Sequence, residues 1–293
     1  MSAFDEETRL QGVDGSPYSY SGLVHGSWNI GAAPNGGYLL ALAVSALRQA
    51  APRHPDPLSV TVHYLRPGLP GRPCRVDVES IRGGRSLSTL RATLVQDEMP
   101  RLEVLAALGE LAPDAQQADS QPGDSRRVDS QPEDSRRVDA QPVLTIAAPG
   151  MPPPERCVGR SADEQGVQLP ILQRLDIRLH PDEARAAAAG RARVSGWVRM
   201  RDGRPPDTLA CLLFADAFPP SVFGLLGSVG WVPTLELTVH LRRRPVAGWI
   251  LGCFETFDLN DGRLIEDGAL WDSAGNLVAQ SRQLALVRGG GLG

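Results

Sequence analysis

Apolar and polar residues alternate in two series of short segments, one series in each half of the chain. A period of two residues is typical of a β-strand with one buried face. The segments are residues 58–65, 74–81, 87–96 and 102–111 in the first half, and 234–241, 249–257, 264–272 and 277–287 in the second. The pattern predicts two sets of four consecutive antiparallel strands, and it does not fit a sheet in which strands and helices alternate.

A helix is predicted ahead of each set of strands. The first covers roughly residues 36–49 and is apolar nearly all round, which is typical of a buried helix. The second begins after Asp207, a plausible N-cap. Pro219 and Pro220 stop it, because a residue before proline is pushed out of the helical region. One helix followed by four strands, used twice, predicts an α+β fold.

A carboxylate lies in an unexpected place on the second predicted helix. Its apolar stripe contains Leu209, Leu212 and Leu213, and the next position on that stripe is Asp216. An unpaired carboxylate on a buried face costs several kcal/mol, so a partner is expected. The alternative is a carboxylate at the helix end that faces solvent.

A tandem repeat separates the two halves. Residues 119–128 read DSQPGDSRRV, and residues 129–138 read DSQPEDSRRV. A polar repeat without aromatic residues cannot bury enough surface to order itself. We therefore expect a weakly ordered linker over residues 113–160, which divides the chain into an N-terminal domain, 1–112, and a C-terminal domain, 161–293.

The two halves resemble each other in sequence. The matches are SGLV at 21–24 with SGWV at 195–198, TVHYLR at 61–66 with TVHLR at 238–242, and GR at 84–85 with GR at 262–263. The offsets are 174, 177 and 178 residues, so order and spacing hold with small slips. Together the matches indicate an internal duplication.

Composition narrows the functional classes. The net charge of -4 and pI of about 5.8 argue against a nucleic-acid-binding surface, which is basic. The longest apolar run, residues 38–47, is about half the length that a membrane span needs. The acidic N-terminus is unlike a secretory signal, and the four cysteines are scattered. The five histidines form no metal-ligand spacing. We expect a cytoplasmic protein that binds no nucleic acid, membrane, metal or cofactor.

Several stretches resemble one enzyme family. They are PNGGYLLAL at 34–42, LSVTVHYLRPG at 58–68, FADAFPP at 214–220, VPTLELTVHLRRRP at 232–245 and LVAQSRQLA at 277–285. Together they resemble the acyl-CoA thioesterase II-type double-hotdog proteins. The resemblance implies a double hotdog, in which two antiparallel sheets each wrap around a central helix. It also implies an acyl-CoA substrate, a homo-oligomer, and a hydrolytic triad of Asp216, Thr234 and Gln283.

Strand alternation places Gln283 and Thr234, two members of this triad, on faces of different polarity. Gln283 shares a face with small and apolar residues, as an inward amide would, although a satisfied core amide is the alternative. Thr234 shares parity with Glu236 and Thr238 on the more polar face. It also follows Pro233 and starts its strand, where parity is least reliable.

Three further residues are candidates for substrate binding. Gly36 and Gly37 precede the buried helix, so their N–H groups are free to bind a thioester oxygen as negative charge develops on it. The alternative is a tight turn. His63 lies mid-strand at a repeated position, where a structural role competes with substrate binding.

A run of three arginines, residues 242–244, could contact the phosphates of coenzyme A, although a solvated run of charges is the favoured interpretation.

The function predicted from these observations is acyl-CoA hydrolysis by a water activated at Asp216, Thr234 and Gln283. An offset of 177 residues maps Asp216 onto Leu39, so one active site per chain is expected. The alternative is a double-hotdog protein that binds acyl thioesters without hydrolysing them. A hotdog dehydratase is a third class, which would need a His/Asp pair across the site.

Overall fold

The computed structural model of the protein describes residues 2–111, 144–227 and 232–287. The decamer repeat at 119–138 lies outside the described residues. The α-helices of the described part are α1 (Ala3–Glu7), α2 (Gly36–Ala50), α3 (Ala162–Gln165), α4 (Thr208–Phe214) and α5 (Phe223–Leu226). None of these helices is both long enough and apolar enough to cross a bilayer.

The strands follow the predicted series closely. They are β1 (Gln11–Val13), β2 (Ser16–Leu23), β3 (Asn29–Ile30), β4 (Ala33–Pro34), β5 (Asp56–Tyr64), β6 (Pro73–Gly83), β7 (Ser88–Gln96), β8 (Met99–Gly109), β9 (Val158–Gly159), β10 (Leu175–Leu179), β11 (Arg193–Met200), β12 (Thr234–Leu241), β13 (Ile250–Asn260), β14 (Arg263–Trp271) and β15 (Leu277–Leu286). β3 and β4 pair with each other, and the other thirteen form one sheet in the order β1-β2-β6-β7-β8-β5-β12-β15-β14-β13-β11-β10-β9.

One strand pair joins the two halves. β5 and β12 are antiparallel neighbours, with Thr61 opposite Thr238 and their hydroxyl oxygens 2.9 Å apart. The prediction of two separate sheets is therefore wrong, because this pairing makes the sheet continuous. On either side of the pair the strand order is mirrored, β2-β6-β7-β8-β5 against β12-β15-β14-β13-β11. This mirrored order supports the internal duplication.

Helix α2 is buried as its apolar composition predicts. Asn35 caps it by accepting a hydrogen bond from the Tyr38 N–H at 3.0 Å. The helix packs on strands β5 to β8 on one side and on α4 on the other, so most of its circumference is covered. The Tyr38 ring stacks on Trp28, with ring centroids 5.3 Å apart.

Helix α4 is shorter than the sequence predicts. Asp207 caps it as expected, accepting from the Ala210 N–H at 2.7 Å. The helix ends at Phe214, ahead of the two prolines, and Asp216 lies two residues beyond that end. The backbone tightens there, because the Asp216 N–H donates to the Leu213 carbonyl at 3.2 Å. Asp216 is therefore not on the helix face where the periodicity placed it.

The described end of the predicted linker makes defined contacts with the second half. The Trp271 indole donates to the Ile146 carbonyl, and the Trp197 indole donates to the Pro152 carbonyl, both at 2.8 Å. Arg160, at the end of the predicted linker, is buried. Residues 144–160 thus lie against the second half of the sheet.

Candidate active site

A cavity of about 740 Å³ lies where α2 meets the second half of the sheet. Asp216, Thr234 and Gln283 all line it, although they come from three separate segments: the turn after α4, the start of β12, and β15. The first half supplies Asn35, Gly36 and Tyr64 to the same cavity. The geometry therefore brings the three predicted site residues together, and it builds their surroundings from both halves of the chain.

The Asp216 carboxylate is held by the N-terminus of α2. Its Oδ2 accepts hydrogen bonds from the Gly37 N–H and from the Asn35 Nδ2, each at 2.8 Å. Asn35 Nδ2 also reaches the Asp216 backbone carbonyl at 2.7 Å. A helix N-terminus favours an anion through its free N–H groups and its dipole. The partners of Asp216 are thus Asn35 and Gly37 rather than the Thr234 and Gln283 side chains.

This contact changes the interpretation of the glycine pair. The sequence leaves the Gly36 and Gly37 N–H groups free for a thioester oxygen, but both are directed to the Asp216 carboxylate. The Gly37 N–H in particular is already used. The glycines also allow close approach: a Cβ at Gly36 would lie 2.9 Å from the Tyr64 hydroxyl and 3.0 Å from Asp216 Oδ2.

The surroundings of Asp216 suit a base that works near neutral pH. Burial raises the pKa of Asp216 to about 6, and the nearby Glu266 carboxylate adds to the rise. The hydrogen bonds from Gly37 and Asn35 act in the opposite direction, because they stabilise the charged form. The carboxylate is therefore ionised at neutral pH and remains basic enough to accept a proton.

A β-bulge brings Thr234 into the cavity. Thr234 lies opposite Ala285, while Glu236 lies opposite Leu284, so Leu235 is an extra residue in the ladder. The extra residue reverses the parity at the start of β12 and turns Thr234 to the same face as Gln283. The Thr234 hydroxyl then donates to Gln283 Oε1 at 3.0 Å. The polar-face parity predicted for Thr234 was wrong because strand alternation does not reveal a bulge.

Gln283 faces inward, in the row of side chains that crosses β14 and β15. It lies directly opposite Glu266, and its Nε2 donates to Glu266 Oε1 at 2.5 Å. Its two amide ends thus have different partners, Glu266 on one side and Thr234 on the other.

Glu266 is a cavity residue that the sequence analysis missed. It is only 5% exposed. On β14 it lies on the same buried face as Leu264, Gly268 and Leu270. Burial raises the pKa of Glu266. A carboxylate in the middle of an alternating buried series was the available signal, and it is the same kind of anomaly that drew attention to Asp216.

Tyr64 is the second residue that was missed. It follows Val60 and Val62 on the inner face of β5, and it lines the cavity. Its hydroxyl is buried and has no hydrogen-bond partner among the described residues. Burial, with the charges of Asp216 and Glu236, raises the pKa of Tyr64 well above its usual value.

We expect Tyr64→Phe to leave the free energy of unfolding unchanged or to raise it by up to about 1 kcal/mol, because a buried hydroxyl without a partner is costly. Tyr38→Phe is the matched control. The Tyr38 hydroxyl donates to the Glu7 carbonyl at 2.8 Å and accepts from the His25 N–H at 3.2 Å, so its removal should cost about 1–2 kcal/mol. Urea unfolding measures both. A similar loss in the two variants would contradict the assignment for Tyr64.

His63 does not reach the cavity. It is exposed on the opposite face of β5 from Tyr64, because neighbouring residues of a strand point to opposite faces. Two of the three arginines at 242–244, which could have met coenzyme A phosphates, instead contact other protein groups. Arg244 forms an ion pair with the buried Asp56 at 2.7 Å, and Arg243 donates to Asn276 at 3.2 Å.

A buried arginine, Arg160, also lines the cavity. Its guanidinium donates to the Ala217 carbonyl and to Gln165 Oε1. Burial lowers the pKa of Arg160 to about 9, while Asp216 acts to raise it.

Over residues 2–111, 144–227 and 232–287 no group of three or more His, Cys, Asp or Glu side chains could hold a metal ion.

Comparison with known proteins gives matches over most of the chain. Residues 24–109 match the acyl-CoA thioesterase N-terminal domain, and residues 154–287 match the acyl-CoA thioesterase C-terminal domain. An uncharacterised protein of Mycobacterium tuberculosis is 30% identical over 275 residues, which cover 92% of this chain and 90% of the relative.

Two solved structures show the same fold. A protein from Thermobifida fusca, provisionally named a thioesterase II, is 29% identical with a TM-score of 0.80, and 98% of each chain is covered. A conserved protein of unknown function with a hot dog fold, from Alicyclobacillus acidocaldarius, is 23% identical with a TM-score of 0.78, again over 98% of each chain.

Proposed function

Since the chain belongs to the acyl-CoA thioesterase family and is a thioester hydrolase, we propose that it hydrolyses an acyl-CoA to the free acid and CoA at the cavity lined by Asp216, Thr234 and Gln283. The observation that carries the proposal is the convergence of these three side chains on one cavity. We also infer that the mirrored halves are two hotdog units, each with its own helix, fused in one chain.

The proposed mechanism uses water without a covalent intermediate. Asp216 accepts a proton from a water that Thr234 and Gln283 also hold by hydrogen bonds, and the water oxygen attacks the thioester carbonyl. General base catalysis of this kind contributes about 10²- to 10⁴-fold to a rate. The thiolate then leaves readily without a strong general acid.

The N-terminus of α2 has a revised role in this proposal. Its Gly37 N–H and the capping residue Asn35 hold the Asp216 carboxylate in place rather than binding the thioester oxygen. A base with a fixed position is poised for the water, and such positioning is a large part of enzymatic rate enhancement.

The walls of the cavity suit an acyl chain. Apart from the polar residues named above, the cavity is lined by many apolar side chains, including Leu39, Phe218, Phe223, Phe254 and Leu264. Ligand sites in proteins commonly have volumes of roughly 300–1,000 Å³, so about 740 Å³ accommodates an acyl group of moderate size. Leu39 is also the residue onto which the duplication maps Asp216, which supports one active site per chain.

A panel of acyl-CoAs tests the function. Purified protein is mixed with straight and branched acyl-CoAs of increasing chain length, and a thiol reagent detects released CoA. We expect release with at least one member of the panel. Binding of an acyl-CoA without release of CoA at any chain length would support a non-hydrolytic acyl-thioester binding protein instead.

The rate should depend on pH through Asp216. Its pKa is raised to about 6, and only the ionised form accepts a proton. We therefore expect kcat/KM to be constant above about pH 7 and to fall tenfold per pH unit well below about pH 6. The loss of thioester absorbance follows the reaction without a thiol reagent. A flat profile from about pH 5 to 8 would contradict a base with this pKa.

A further inference from the structure

Glu266 belongs to a row of three side chains that crosses the second half of the sheet. On β13, β14 and β15 the register aligns Thr256, Glu266 and Gln283. No ion pair to Glu266 occurs in the described part of the chain, and the contacts that lower its pKa are hydrogen bonds from Ser221 and Gln283. A buried carboxylate without a cation is energetically unfavourable unless hydrogen bonds satisfy it. The position of Glu266 in the cavity wall therefore requires a structural explanation.

The first contact of Glu266 fixes which way the Gln283 amide points. Both oxygens of the Glu266 carboxyl accept hydrogen bonds, Oε2 from the Ser221 N–H and Oε1 from the Gln283 NH₂ at 2.5 Å, so the NH₂ end of the Gln283 amide faces Glu266. Gln283 Oε1 is then left to accept from the Thr234 hydroxyl at 3.0 Å. The Thr234 proton is consequently committed to Gln283, and the lone pairs of the Thr234 oxygen are available to accept a hydrogen bond from a water.

The second contact of Glu266 holds the segment that carries the proposed base. Glu266 Oε2 accepts the Ser221 N–H at 2.7 Å, and the fully buried Ser221 hydroxyl pairs with Thr256 at 2.9 Å. Ser221 is five residues after Asp216, and Pro219 and Pro220 between them stiffen the connection. One carboxylate therefore ties the strand of Gln283 to the segment of Asp216.

We propose that Glu266 is a positioning residue that sets the direction of the Thr234–Gln283 hydrogen bonds and holds Gln283 and Asp216 at a fixed spacing. The proposal rests on the proposed thioesterase function. In Glu266→Gln the new amide has one NH₂ and one oxygen for two partners that both donate. The Gln283 amide must then turn over or lose its partner, and the Thr234 hydroxyl no longer presents its lone pairs in the same way.

The test compares Glu266→Gln with Asp267→Asn. Asp267 is the next residue on β14, points to the outer face and pairs with Arg282 on the surface, so it is a matched control. We expect Glu266→Gln to lower kcat by about 10- to 100-fold with KM changed by less than about threefold, and Asp267→Asn to keep wild-type kcat. Wild-type kcat in a folded Glu266→Gln would overturn the proposal. If that variant does not fold, Glu266→Asp, which withdraws the carboxylate by one methylene, is judged by the same criterion.

A double variant separates positioning from a general structural effect. The amide of Glu266→Gln keeps an oxygen that can accept the Ser221 N–H, so the remaining effect of this substitution acts through Gln283. It should therefore matter little once the Gln283 amide is gone, and Gln283→Ala with Glu266→Gln should keep the kcat of Gln283→Ala within about threefold. Losses that multiply would overturn the proposal. Failure here is distinguishable from failure of the thioesterase function: wild-type protein that releases no CoA refutes the function, whereas an active wild type with an active Glu266→Gln refutes only the role of Glu266.

Discussion

Replacing Asp216 by Asn is expected to lower kcat by about 10²- to 10⁴-fold, with a small effect on KM. The amide is nearly the same size as the carboxylate and keeps an oxygen for the Gly37 N–H, so the local structure should survive. What it loses is the ability to accept a proton from the water. Steady-state kinetics with the best acyl-CoA of the panel measures the change, and thermal unfolding checks the fold.

Asp267→Asn serves as the control for this variant too, because it removes one negative charge from the outer face of β14 without touching the cavity. Its kcat should match that of the wild type. If Asp216→Asn retains kcat within a factor of a few, Asp216 is not the base, although the thioesterase activity itself would stand.

The second large effect is expected at Gly37. A Cβ there would lie 2.9 Å from the carbonyl oxygens of Leu212 and Leu213 and 3.0 Å from the Asp216 Cβ. Two of these three contacts are with backbone atoms, which cannot rotate away. Gly37→Ala should therefore force α2 and α4 apart, destabilise the protein by about 1–3 kcal/mol and lower kcat more than tenfold.

Whether Gly37→Ala lowers or raises the free energy of unfolding distinguishes close helix packing from helix propensity alone. In an ordinary helix, alanine is more favourable than glycine by up to about 1 kcal/mol, so helix propensity alone predicts stabilisation. Gly83→Ala on β6 is the control, since no atom lies within 4 Å of a Cβ built there. Urea unfolding gives the free energies. A Gly37→Ala protein that is more stable than the wild type would show that the two helices are not packed as closely as described.

Much of the fold could be predicted because its signals are local. The apolar circumference of α2 and the cap at Asp207 follow from residues a few positions apart, and strand alternation located the sheet segments. The continuity of the sheet could not be predicted in this way. It depends on the pairing of β5 with β12, whose residues are about 177 positions apart in sequence.

The sequence indicated some of the residues that line the cavity, but it did not indicate their contacts. The family resemblance pointed to Asp216, Thr234 and Gln283, and the structure places all three in one cavity. The partners of Asp216 were not predictable, because Asn35 and Gly37 are 181 and 179 residues away. Strand alternation alone put Thr234 with the polar face, because alternation does not reveal the bulge that adds one residue to its strand. Its catalytic role, like those of Asp216 and Gln283, stays a prediction.

The dependence of the site on both halves has a structural basis. The proposed base belongs to the second half, while its hydrogen-bond donors belong to the helix of the first half. In the proposed double hotdog, one unit would supply the base and the other would hold it, which is how a pair of similar units could contain one asymmetric site.

A single turnover in water labelled with oxygen-18 tests the central claim most directly. Enzyme in excess over acyl-CoA is mixed in labelled water, and the product acid and the Asp216 peptide are analysed by mass spectrometry. Attack by water activated at Asp216 predicts one labelled oxygen in the acid from the first turnover and no label in Asp216. Unlabelled acid together with a labelled Asp216 carboxylate would contradict the account, because it would mean that Asp216 itself attacks the thioester.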